Sequence, residues 1–189
     1  MSSNAFEGLG ETLKELHLAH NKIKKMPKSM LNKLGELRVL HLWANSIDEF
    51  PLRYFQFCRN LQELILWGNE LKIITESTFD GLWNLKKLDL DRNRIEAVEK
   101  DAFRHLWNLE ILHLGENKLM YLTEGMFTHL TKLKVLNLDH NRITLVHQNA
   151  FSDLGSLISL SLDNNYISLL SGETFTNLRN LTMIFLHRN

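Results

Sequence analysis

Asparagine stands at Asn21, Asn45, Asn69, Asn93, Asn117, Asn141, Asn165 and Asn189, one every 24 residues without a slip. A repeat of this length marks one supersecondary unit that cannot bury its apolar face alone and must stack on copies of itself. The chain is therefore expected to fold as an elongated solenoid, and its business to lie on a repeating surface.

Set on that period, leucines fall into columns: Leu13, Leu37, Leu61, Leu85, Leu109, Leu133, Leu157 and Leu181, repeated three and five residues later, as in Leu61, Leu64 and Leu66, with Ile184 the one departure. An Ile or Leu column follows, from Ile23 and Ile47 to Ile167, and then a mixed apolar one from Met26 and Phe50 to Leu170. Phe55, Phe79, Phe103, Phe127, Phe151 and Phe175 form another. Stacked, these phenylalanines make a spine. The leucine segments alternate with period two, as half-buried strands do, so successive repeats are expected to add strands to one parallel sheet. Each asparagine lies between apolar columns, where an unpaired amide costs about 1–3 kcal/mol. Its side chain is expected to ladder to backbone above and below, which makes it structural.

The unit L-x-x-L-x-L-x-x-N-x-I-x-x-I followed by F-x-x-L, as in residues 85–108, resembles the typical 24-residue class of leucine-rich repeats. That class occurs in ectodomains of Toll-like receptors, Slit proteins, small proteoglycans, relaxin and glycoprotein-hormone receptors and variable lymphocyte receptors. The resemblance implies an α/β-type, mostly β repeat solenoid. It is a curved horseshoe with a parallel sheet on the concave face and irregular or short helical turns on the convex one. It also implies an extracellular or cell-surface binding protein. Residues 1–189 read as a single domain: 1–12 a partial upstream repeat, 13–180 seven repeats, 181–189 the start of an eighth. With no recognisable caps, the sequence reads as an internal piece of a longer array.

Twenty-two basic side chains balance 22 acidic ones, which argues against nucleic acid or an anionic membrane as the main partner. No apolar run reaches the roughly 18 residues of a spanning helix, and the start lacks a signal-peptide pattern. One cysteine, Cys58, precludes an intrachain disulfide and stands in a leucine column, so a buried inert thiol is expected.

Function is sought in the variable columns between the leucines, which face outward on the concave wall with equivalent positions about 4.8 Å apart. Val39, His41, Trp43, Ile65 and Trp67 converge there as an apolar cluster, with Glu63 among them. Outward aromatics are common interface anchors, though two adjacent tryptophans can also simply stabilise a sheet face. Asp89, Asp91, Asp139 and Asp163 continue as an acidic stripe interrupted by Gly115, with His113 alongside. A basic patch on a protein or peptide ligand is its expected complement. Calcium lacks an Asp-Gly loop of the usual kind, and a zinc set of His17, His41, His113 and Asp89 is interrupted at Ile65. No metal or cofactor is expected.

Trp83 and Trp107 share a column at the edge of the solenoid, where they cover the spine or form a lateral contact, even a homodimer surface. Asn180 begins the one N-x-S/T sequon, but Thr182 falls on a strand. No catalytic motif or nucleophile-base pair is present. The sequence thus points to a non-enzymatic protein-recognition segment of a receptor or adhesion protein. A self-associating structural module and an intracellular adaptor are the alternatives.

Overall fold

A computed structural model describes residues 5–189. Eight three-residue strands, Glu15–His17, Val39–His41, Glu63–Ile65, Lys87–Asp89, Ile111–His113, Val135–Asn137, Ser159–Ser161 and Met183–Phe185, form one parallel sheet in chain order. Each pairs in a register of one repeat, Leu64 with Leu88 and Leu88 with Leu112. The central residue points inward and its neighbours outward, and each of Leu40, Leu64, Leu88, Leu112 and Leu160 is fully buried.

Opposite the sheet, i to i+3 turns such as Leu34 N–H to Leu31 C=O and Leu106 N–H to Phe103 C=O carry the chain back. No helix forms among the described residues, so the convex side is of the irregular kind. Short strand pairs lie between the faces: Ile73–Ile74 with Ala97–Val98, and Tyr121–Leu122 with Leu145–Val146.

The phenylalanine spine is continuous, with ring centroids from Phe55 to Phe175 spaced 6.1–6.4 Å apart. Strands in a sheet lie about 4.8 Å apart. Wider spacing on the spine side than on the strand side bends the stack, and makes the sheet the inner wall.

The asparagines ladder as expected. Asn69 Nδ2 donates to Leu42 C=O and Leu66 C=O, while its Oδ1 accepts the Ile47 N–H at 3.0 Å. The preceding residue takes a left-handed conformation in each repeat, with φ of 49–67° from His20 and Ala44 through Gly68 and Arg92 to Arg188. Its N–H donates to the next repeat, as Ala44 does to Trp67 C=O at 2.9 Å. Cys58 lies at the core, where burial pushes its thiol up to about 12, so almost no thiolate forms.

Candidate functional site

Because the first, third and fifth residues of each x-L-x-L-x stretch point outward while the two leucines point inward, every concave candidate does reach the inner wall, but the wall is crowded. Trp43 and Trp67 are half-buried and meet edge to face, 6.1 Å between centroids. His20 lies 4.2 Å from the Trp43 ring, and the Arg92 guanidinium sits 5.1 Å over Trp67, within cation–π range. Val39 is also half-buried. The expectation of an open apolar cluster needs one correction: Ile65 is only 8% exposed. It stands in register between His41 and Asp89, and close packing on the inner wall leaves little of it in reach. The apolar contact available to a ligand is therefore the tryptophan pair.

Beside the tryptophans a polar chain crosses four strands. His17 Nδ1 lies 2.9 Å from His41 Nδ1, His41 Nε2 is 3.1 Å from a Glu63 carboxylate oxygen, and Lys87 Nζ is 3.6 Å from the same oxygen. His41 and Glu63 are thus tied into the wall.

The acidic stripe is drawn together where the sequence interrupts it. The Gly115 N–H donates to Asp91 Oδ1 at 2.6 Å. A Cβ at Gly115 would stand 3.1 Å from that oxygen and 2.1 Å from Asp139 Oδ1, so the carboxylates lean in over the glycine from both sides. His113 pairs with Asp89 at 3.8 Å and Asp91 at 3.9 Å. Partial burial, then the Asp89 charge, push the Asp91 carboxyl up to about 6. The Asp89 carboxylate holds the His113 imidazole above its ordinary value. Further on, burial works against the Asp163 carboxylate, yet the Ser161 hydroxyl, His187 and the Asn164 amide together hold it below the usual range.

The imagined zinc set does not assemble: His17 and His41 adjoin one another, whereas His113 joins the aspartates. Donor atoms do come within 4.8 Å of one another in Asp89, Asp91 and His113, and in Asp139, His140 and Asp163. This arrangement attracts cationic groups, and its members already pair internally.

At the edge, Trp83 stacks on His105, 5.2 Å between centroids, and meets Trp107 edge to face at 5.3 Å. His105 in turn lies 2.9 Å from Asp80. Asn84 and Asn108 flank them as a second amide ladder, Asn108 Nδ2 donating to Trp83 C=O at 2.8 Å. The exposed Asn180 belongs to the same ladder, its Nδ2 donating to Gly155 C=O at 2.7 Å. The nitrogen that a glycan would use is thus engaged.

Two features escaped the sequence reading. Residues of the left-handed column, His20, Arg92 and His140, overhang the wall, and Gly68 and Asn164 in that column were the signal. The other is an outward column of Ile73, Ala97, Tyr121, Leu145 and Leu169, exposed in five successive repeats on the flank of the short strand pairs.

Fold and wall together define the class of protein: a stacked-repeat scaffold whose concave parallel sheet presents variable side chains. The chain belongs to the leucine rich repeat family, whose model matches residues 11–71, 35–94, 83–143 and 131–189. Comparison with curated proteins gives no match. Among solved structures the chain is similar to TLR13 in its complex with ssRNA13, at 31% identity and a TM-score of 0.93, over 97% of this chain and 26% of that one. It is also similar to a chain of the octameric complex of latrophilin 3, Unc5D and FLRT2 (LRR), at 31% identity and a TM-score of 0.68, over 90% and 60%. An internalin C2 from Listeria monocytogenes str. 4b F2365, at 24% identity and a TM-score of 0.76 over 95% and 74%, shares the fold. The chain spans less than two thirds of the first two. Among the described residues no helix is long and apolar enough to cross a membrane.

Proposed function

We propose that the concave wall binds a protein or peptide ligand, and that the chain is a segment of a cell-surface or secreted receptor or adhesion protein. The observation that carries this reading is the meeting, on one face, of half-exposed Trp43 and Trp67 with the carboxylates of Asp89, Asp91 and Asp139; Asp163, expected in the same stripe, is only 9% exposed and its carboxylate is taken up by Ser161 and Asn164. A segment offering an apolar side chain and, a few residues away, Lys or Arg complements that order: tryptophans supply anchoring energy and acids steer the approach. FLRT2 (LRR) forms part of a multi-protein complex, which supports a protein partner, whereas TLR13 is in complex with ssRNA. A polyanion would meet the acidic ridge head-on, which favours protein over nucleic acid. Placement outside the cell rests on the resemblance to ectodomain repeats, a family typically without enzymatic activity.

Selection from a displayed random-peptide library tests the reading. Selected sequences should combine Lys or Arg with apolar residues, and Trp67→Ala should weaken the best of them by about 2 kcal/mol or more. A folded Trp67→Ala variant with undiminished affinity would remove the anchor. Tighter binding of single-stranded oligouridine than of any selected peptide would replace the ligand class.

A further inference from the structure

The flank away from Trp83 and Trp107 carries the apolar column that neither the core nor the concave wall uses. Ile73, Tyr121 and Leu145 are each more than half exposed, at 54%, 53% and 54%. Ile73 is in register with Ala97, and Tyr121 with Leu145, so these side chains are true neighbours. With Leu169 they make an apolar stripe along repeats three to seven, whereas Lys25 and Glu49 hold the same column in the first two. Single exposed apolar residues are ordinary, but a contiguous line bounded by charge marks an interaction surface.

In repeats four and five the borders of the stripe carry opposite charge, apart from Lys100 beside Glu99, whereas in repeat three Glu70 and Glu76 make both borders acidic. Arg94, Lys118 and Arg142 stand three residues before Ala97, Tyr121 and Leu145, on the side of the concave wall, while Glu99 and Glu124 stand two and three residues after Ala97 and Tyr121, on the convex side. Arg94 and Lys118 pair with Glu70 and Glu96 in contacts that are about half open to solvent, so they can exchange partners.

We propose that this flank binds a second copy of the chain, with the two-fold axis running along the apolar stripe. Rotation about such an axis leaves each repeat at its own height and exchanges the two borders. Tyr121 then meets Tyr121 and Leu145 meets Leu145, while Arg94 and Lys118 of one copy face Glu99 and Glu124 of the other. An axis across the stripe would instead set cations against cations. The centre of the stripe, repeats four and five, is thus self-complementary in one orientation, as an isologous interface requires, and the concave walls stay open.

Sedimentation across the accessible concentration range, with cross-linking, tests this. The expected result is a monomer–dimer equilibrium that is lost in Leu145→Asp and weakened in Lys118→Glu. The double swap Lys118→Glu with Glu124→Lys should restore it. Leu145→Cys, whose added thiol would be near the axis while Cys58 is buried, should form a disulfide-linked dimer under mild oxidation; Trp107→Cys should not. Three outcomes overturn the proposal: a monomer throughout, a dimer that survives Leu145→Asp but not Trp107→Ala, or a double swap no better than the single one.

Discussion

Asn93 holds three stretches of backbone at once: its Nδ2 donates to Leu66 C=O and Leu90 C=O, and its Oδ1 accepts the Leu71 N–H at 3.1 Å. All of this is buried, so Asn93→Ala leaves several polar groups without partner or water. It should cost about 3–5 kcal/mol, read from urea unfolding. Asp91 acts in the opposite sense. Its carboxyl, pushed up to about 6 from 3.8 by burial and the Asp89 charge, ionises more readily in the unfolded chain than in the folded one. Its contribution is therefore intact below about pH 4 and is lost as pH rises through 6. Asp91→Asn, which keeps an acceptor for the Gly115 N–H, should leave stability unchanged near pH 4 and raise it by about 2 kcal/mol at pH 8. Urea titrations of both proteins at the two pH values check this; an equal effect at both would show that the carboxyl is not perturbed.

Among the elements, the convex turns are the least forgiving. Gly81 has a φ of 95°, and a Cβ there would lie 2.5 Å from Gln56 Cα and 2.7 Å from Phe55 C=O. Both obstacles are backbone, so neither can swing aside. Gly81→Ala should lose at least about 2 kcal/mol, from left-handed strain and the displaced repeat together, visible as a lower thermal midpoint. At Gly115 the obstacles are the mobile ends of carboxylate and amide side chains, and the φ is ordinary. Substitution there disturbs the acidic ridge before it disturbs the fold.

For the whole molecule, the spine and the asparagine ladder run unbroken from repeat to repeat, and nearest-neighbour coupling decides whether such a stack unfolds as one unit. All four tryptophans, Trp43, Trp67, Trp83 and Trp107, lie in repeats two to four. Tryptophan fluorescence therefore reports that region alone, and far-ultraviolet circular dichroism the entire sheet. Coincident urea midpoints are expected, whereas an earlier or later fluorescence transition would show the solenoid dividing.

The sequence by itself determined the parts that depend on period. Leucine columns, Phe55 to Phe175 and the eight asparagines specified a parallel-sheet solenoid, because each repeat can bury its apolar face only on a neighbour with the same spacing. The same period put His41, Trp43, Trp67, Asp89 and Asp163 on one wall. Only the tertiary structure decided how much of each side chain that wall leaves in reach. Packing between neighbouring repeats on the inner wall leaves Ile65 almost covered and brings Asp91 and Asp139 together above Gly115. It also lays Arg92 over Trp67, a contact between repeats that depends on a left-handed backbone step. Such closeness is a property of the stacking and of rotamers chosen against neighbours one repeat away, and no single repeat encodes either.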